Sequence, residues 1–136
     1  MASQEEEVLA ANGEFYRAFA ARDARAMDAV WAKASPVVCI HPGWPALFGR
    51  EQVMASWRSI MLGPGSPDIA CGEEVAQVCG EAAFVVCIEQ LPGAELIATN
   101  VFVREAAGWK MVHHHAGPVA RAGEDDAEEP PSRLLN

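Results

Sequence analysis

The amino-acid sequence changes its hydrophobic pattern at Pro67, and this change limits the folds that the chain can adopt. Before Pro67, apolar residues recur at intervals of three and four, which is typical of helices that bury one face. After it, apolar and β-branched residues form four short runs, over 69–78, 82–90, 95–104 and 109–116. The breaks between the runs are short enough for hairpins, so we predict an antiparallel meander. Helices followed by strands predict an α+β domain whose helices cover one face of a curved sheet.

Three helices and one short strand are predicted before this change. The first helix covers 6–21, where apolar side chains form one stripe. Asp23 can cap a second helix, which ends before Pro36 because the residue that precedes a proline avoids the helical region. A short apolar strand over 37–41 follows, and the third helix is predicted over 50–62.

The predicted strands are apolar on both faces. In the second run, Phe84 and Val86 alternate with Val85 and Cys87. An antiparallel sheet with one face in water would alternate apolar with polar residues. We therefore predict that the outer face of the sheet is covered as well, most simply by a second copy in a homodimer.

Length and charge narrow the class of protein. A chain of 136 residues fits a single domain, predicted over 5–119, and the acidic, proline-containing segment 120–136 is predicted to be a solvated, flexible tail. The net charge of −9 disfavours nucleic acid as a partner. No apolar run reaches the roughly 20 residues that span a bilayer, so no membrane partner is expected. The acidic start over 1–7 is unlike a secretory signal, and we predict a cytoplasmic protein.

Histidine is concentrated at the ends of two predicted strands. Three of the four histidines are consecutive, and the fourth, His41, ends the short strand. Because side chains alternate along a strand, His113 and His115 share one face, about 7 Å apart, and His114 lies on the other. We predict that His113 and His115 face a pocket; the opposite parity is the alternative. A metal held by His113, His115 and His41 is a further hypothesis.

The order of elements and several short segments resemble the nuclear transport factor two-like superfamily, with its cystatin-like roll, and the SnoaL-like group within it. The resemblance spans 5–119 and is carried by the segments 22–23, 40–44, 49–51, 99–104 and 108–113. It implies a cone-shaped, mostly antiparallel sheet wrapped around a long first helix, with a pocket at the open end.

The ketosteroid isomerases of this superfamily give a position-by-position comparison. Their general base lies before a proline at the end of the first strand, which matches His41 here. Their oxyanion aspartate matches Asn100, two residues before Phe102. Their oxyanion tyrosine matches Phe15, and the adjacent Tyr16 lies about 100° further round the helix, so its hydroxyl is expected to point elsewhere.

We therefore predict a pocket for a small organic molecule, with His41 and Asn100 as catalytic residues. The predicted pocket lining is Phe15, Tyr16, Trp44, Trp57, Phe102, His113 and His115. Proton transfer that leads to isomerisation, cyclisation or dehydration is the expected chemistry, with no cofactor and no resident metal. The alternatives are a ligand-binding or dimeric assembly module without turnover, and the histidine-ligated metal site.

Overall fold

The computed structural model describes residues 2–120 and has the predicted α+β architecture. Three helices accompany a six-stranded mixed sheet that does not close on itself. The elements are α1 Gln4–Ala21, α2 Ala24–Val30, β1 Val38–Ile40, β2 Leu47–Phe48, α3 Arg50–Leu62, β3 Ala70–Cys79, β4 Ala82–Leu91, β5 Ala94–Glu105 and β6 Gly108–Pro118. Beyond residue 120, the predicted acidic tail lies outside the described residues.

Local sequence signals set the ends of the first two helices. Ser3 and Glu6 form a capping box, in which each side chain accepts a hydrogen bond from the backbone N–H of the other residue, at 3.1 and 2.8 Å. Arg22 adopts a left-handed conformation, with φ of 55°, and ends α1. Asp23 accepts a hydrogen bond from the backbone N–H of Ala26 at 3.0 Å and so begins α2. The predicted cap at Asp23 is confirmed.

The strand order in the sheet is β2-β1-β6-β5-β4-β3. The last four strands form the predicted antiparallel meander, and β1 pairs in parallel with β6. This pairing places the chain that follows β1, and with it His41, beside the histidines of β6. The two-residue strand β2 was not predicted, because it is too short to show a hydrophobic period and lies in a segment rich in proline and glycine.

A β-bulge interrupts the pairing of β5 with β6. Phe102 pairs with Met111, and its neighbour Val101 pairs with His113, so Val112 is an extra residue without a partner on β5. Such an extra residue reverses the alternation of side chains along the rest of the strand.

The bulge decides which histidines face the helices. Met111 and His114 are buried on the inner face, with 0% and 2% of their surface exposed. His113 and His115 lie on the outer face, where their rings are 6.3 Å apart. The prediction that His113 and His115 face the pocket is therefore wrong, and the opposite parity, given above as the alternative, is the one found.

The hydrophobic core lies between α1 and the inner face of the sheet. Val8, Phe15 and Phe19 of α1 are buried there, and Trp57 of α3 closes one end of the core. The helix contacts β3, β4 and β6. This arrangement brings the polar residues of α1 against the polar residues of three neighbouring strands.

The outer face of the sheet carries large apolar side chains that no described element covers. Val75, Phe84 and Ile97 are 56%, 41% and 40% exposed. On this face, Phe84 lies opposite Val101 on the neighbouring strand. Among residues 2–120, no helix combines the length and the apolar character needed to cross a membrane.

Candidate functional site

A cavity of about 210 Å³ lies between α3, the loop that follows β1, and the inner face of the sheet. Three polar side chains line it: His41, Glu89 and His114. The other nine lining side chains are apolar: Phe19, Pro42, Trp44, Trp57, Ile60, Pro67, Ile69, Leu91 and Leu96. An apolar cavity with a few polar groups on its wall is the usual form of a small-molecule site.

A buried hydrogen-bond network supports this polar wall. Its centre is Asn100, whose Nδ2 donates to Asn12 Oδ1 at 2.8 Å and to the Tyr16 hydroxyl at 3.1 Å. The Tyr16 hydroxyl donates to Glu89 Oε2 at 2.7 Å. His114 Nδ1 lies 2.6 Å from Asn100 Oδ1. All five side chains are buried, so each of these bonds replaces hydration that the group has lost.

The network fixes the tautomer of His114. The amide oxygen of Asn100 can only accept a hydrogen bond, so His114 Nδ1 must carry the proton that it shares with Asn100. In the neutral ring, Nε2 therefore holds a lone pair. This Nε2 lies 3.8 Å from Glu89 Oε2, and both residues line the cavity. The cavity thus has an unprotonated ring nitrogen beside a carboxyl group.

Burial favours the uncharged form of both groups. Loss of hydration raises the pKa of the Glu89 carboxyl, although the hydrogen bond from Tyr16 acts in the opposite direction. Burial, together with the neighbouring imidazoles, lowers the pKa of His114 to about 3. A carboxyl group with a raised pKa and a neutral imidazole, 3.8 Å apart on one cavity wall, are groups of the kind that general acid–base catalysis uses.

His41 is the second imidazole of the cavity, and its tautomer is also fixed. Ser56 Oγ donates its single proton to the backbone oxygen of Val53 at 2.7 Å, so it must accept from His41 Nε2 at 2.8 Å. The lone pair of neutral His41 is therefore on Nδ1. Its ring packs between Trp44 and Trp57, with centroids 4.8 and 4.7 Å away. Burial lowers its pKa to about 4.

The predicted site residues divide into three groups. His41, Trp44 and Trp57 line this cavity, whereas Asn100 lies behind the wall at the centre of the network. His113 and His115 lie on the opposite face of the sheet from His41. The hypothesis of a metal held by His41 with this pair is therefore wrong.

Phe15, Tyr16 and Phe102 are buried behind the cavity wall and are not among its lining residues. Phe15 packs edge-on against Trp57 and in a tilted arrangement against the ring of His114, with centroids 5.3 and 4.9 Å away. The prediction that the Tyr16 hydroxyl points away from the site is wrong. The buried face of α1 is wide enough to hold two positions that are 100° apart.

Four residues of the site were not predicted from the sequence: Asn12, Ser56, Glu89 and His114. Three of them had a signal, because each is a polar residue at an apolar position of its own pattern. Asn12 lies one helical turn before Tyr16, Ser56 lies within the stripe of α3, and Glu89 shares its face with Cys87. His114 had no such signal, because the bulge that turns it inward depends on pairing with β5.

A family model of the SnoaL-like domain matches residues 8–121. The chain belongs to the SnoaL-like family. This SnoaL-like chain is 35% identical to a proposed dehydratase of the NTF2-like family from Streptomyces avermitilis, with a TM-score of 0.78 over 86% of this chain and 96% of that protein. It is 37% identical to a proposed calcium/calmodulin-dependent protein kinase type II association domain from Thiobacillus denitrificans, with a TM-score of 0.68 over 82% of this chain and 94% of that one.

A curated relative has a longer chain. The SnoaL-like chain is 27% identical to the F-box protein SKIP8 of Arabidopsis thaliana over 111 residues. The matched region covers 80% of this chain and 48% of SKIP8. The chain therefore spans about half the length of that relative. The NTF2-like and cystatin-like folds of its structural neighbours confirm the predicted fold class.

Proposed function

We propose that this chain is an enzyme that removes water from a small hydroxy-carbonyl compound by general acid–base catalysis. His114 is the proposed base and Glu89 the proposed acid. The observation that supports this assignment is the distance of 3.8 Å between His114 Nε2 and Glu89 Oε2 in the wall of an apolar cavity. Both side chains are held by hydrogen bonds, so little reorientation is needed before a proton moves.

In the proposed reaction, His114 Nε2 removes the proton from the carbon beside the carbonyl group. The electron pair of that C–H bond forms a carbon–carbon double bond, and the C–O bond to the neighbouring hydroxyl breaks. Glu89 gives its proton to the departing oxygen, which leaves as water. The imidazolium of His114 then returns the proton to the Glu89 carboxylate, and both groups are neutral again.

The contacts of each group suit its proposed role. The Tyr16 hydroxyl, which donates to Glu89, stabilises the carboxylate that forms when the acid gives up its proton. Asn100 Oδ1 accepts from His114 Nδ1 and stabilises the imidazolium. Because base and acid are adjacent, the proton and the hydroxyl leave from the same face of the substrate. Groups positioned in this way commonly accelerate a reaction by about 10²–10⁴-fold.

The similarity to a proposed dehydratase at 35% identity supports this class of reaction. The same proton abstraction is also the first step of an isomerisation or a cyclisation, so these products require the same base. The proposed role of His41 is to orient the substrate, because its Nδ1 lone pair can accept a hydrogen bond from a hydroxyl group.

The test is proton exchange in deuterium oxide, followed by NMR on a set of small β-hydroxy ketones. We expect loss of the proton beside the carbonyl and release of the unsaturated product. His114→Gln should lower both rates by about 100-fold or more, and Glu89→Gln should lower mainly the release of water. His115→Gln, on the outer face of the same strand, is the matched control and should have the wild-type rates.

Two results would contradict the proposal that the chain is an enzyme. Proton exchange at the wild-type rate in His114→Gln would show that His114 is not the base. Probes that bind in the cavity without any exchange would favour the ligand-binding module.

We also propose that two copies associate through the outer face of the sheet. The supporting observation is the exposed apolar surface around Phe84, Val75 and Ile97. An assembly role is the second candidate function, and the similarity to a proposed association domain at 37% identity supports it. The two proposals are compatible, because the cavity and this face lie on opposite sides of the sheet.

A further inference from the structure

We infer that the substrate of the proposed reaction is uncharged, and that the part of it held in the cavity is about the size of one substituted ring. This inference rests on the proposed function, which requires the substrate to carry a hydroxyl and a carbonyl group. It is drawn separately for charge and size, from the lining of the cavity.

The lining offers no basic side chain to an anionic substrate, and a cationic substrate would meet only the buried carboxyl group of Glu89. Of the described residues, no lysine or arginine lines the cavity, and Glu89 is its one acidic residue. A carboxylate or phosphate that entered would lose hydration among nine apolar side chains without gaining a cation. Burying an ion without a partner costs far more than burying a neutral hydroxyl that finds a hydrogen bond.

The ionisable groups of the wall respond to the same environment. Burial lowers the pKa of His41 to about 4 and that of His114 to about 3, so positive charge is unfavourable at two places. It raises the pKa of Glu89, so negative charge is unfavourable at a third. A neutral substrate is the kind of molecule that such a wall accepts.

The volume of the cavity indicates the size of the group that it can hold. The cavity measures about 210 Å³, which is smaller than the ~300–1,000 Å³ of clefts that hold drug-sized ligands. The bulky side chains of Trp44 and Trp57 occupy one side of it. A fused polycyclic substrate would exceed this volume and extend out of the cavity.

The first experiment compares three probes that share one ring: cyclohexyl methyl ketone, cyclohexanecarboxylate and cyclohexylmethylammonium. Their dissociation constants are measured by titration at pH 7 with the wild-type chain. We expect the ketone to bind at least about tenfold more tightly than either ion. An ion that binds as tightly as the ketone would overturn the inference. Ketone binding without proton exchange would contradict only the proposed reaction, so the two failures can be distinguished.

The second experiment adds a cation to the lining. Ile60 is a half-buried lining residue of α3, and Leu62 on the same helix is 68% exposed and outside the lining. We expect Ile60→Lys to raise the affinity for cyclohexanecarboxylate at least about tenfold, because it supplies the missing partner. Leu62→Lys changes the net charge equally and should have no such effect. An equal gain in both variants would show that overall charge, and not the lining, excludes anions, and it would overturn the inference.

Discussion

The Tyr16 hydroxyl is the one group that joins Asn100 to Glu89, because it accepts from the first and donates to the second. Tyr16→Phe removes one hydrogen bond from each of these two buried side chains, so we expect the free energy of unfolding to fall by about 1–3 kcal/mol. In the wild type, the hydrogen bond from Tyr16 stabilises the Glu89 carboxylate and lowers its pKa. Without this bond, the pKa of Glu89 should rise further, and the basic limb of the turnover profile should move to higher pH. Denaturant unfolding and a pH profile measure the two effects. Unchanged stability would contradict the network.

The lowered pKa values of His41 and His114 predict how stability depends on pH. Below pH 6.5 the unfolded chain binds protons at these two rings, whereas the folded chain binds them only near pH 4 and pH 3. The free energy of unfolding should therefore fall as the pH drops from 6.5 to 4, by up to about 1.4 kcal/mol per pH unit for each ring. The pKa of Glu89 is raised in the folded chain, so its contribution to the free energy of unfolding falls as the pH rises above 4.5.

Denaturant titrations between pH 4.5 and pH 7 test this linkage. His114→Gln should reduce the slope of stability against pH, because it removes one of the two buried rings. His115→Gln, exposed on the outer face, is the matched control and should leave the slope close to that of the wild type. A slope that neither His41→Gln nor His114→Gln changes would contradict the assignment.

At the scale of elements, the sequence predicts the structures that depend on local signals. Asp23 caps α2 as expected, α3 has the predicted bounds 50–62, and the hairpins fall at the breaks between the predicted runs. The bulge at Val112 could not be predicted, because valine is an ordinary strand residue. Its position depends on two distant requirements: Met111 packs in the core, and His114 reaches Asn100.

Deletion of Val112 tests this account of the bulge. Without the extra residue, Met111 and His113 become neighbours and can keep their present partners on β5, so His114 still faces inward. We expect a folded protein that is less stable by roughly 1–3 kcal/mol. The measurements are thermal unfolding and an NMR signal for the Nδ1 proton of His114. Deletion of Val86 of β4, which lies in the unbroken pairing with β5, should instead reverse the faces of the residues that follow and prevent folding.

At the scale of the molecule, the site depends on contacts between residues that are far apart in the sequence. Asn100 meets Asn12 across 88 positions and Tyr16 across 84. Patterns in the sequence could predict that imidazoles gather where β1 and β6 end. They could not predict that Glu89 and His114 face each other, because this depends on the register of three strands and on the bulge. The cavity was thus expected in outline, and its acid and base were not.

The outer face of the sheet leads to the last prediction, which concerns assembly. Phe84 lies opposite Val101, and this row continues on β6 to His113, so a partner sheet would bury the two apolar side chains beside the imidazole. We expect a dimer at micromolar concentration by light scattering, and Phe84→Glu should convert it to a monomer, because an unpaired carboxylate would be buried at the interface. Leu62→Glu, which adds the same charge at an exposed site on α3, should remain dimeric. A wild-type monomer would contradict the proposal, as would a dimer that Phe84→Glu leaves intact.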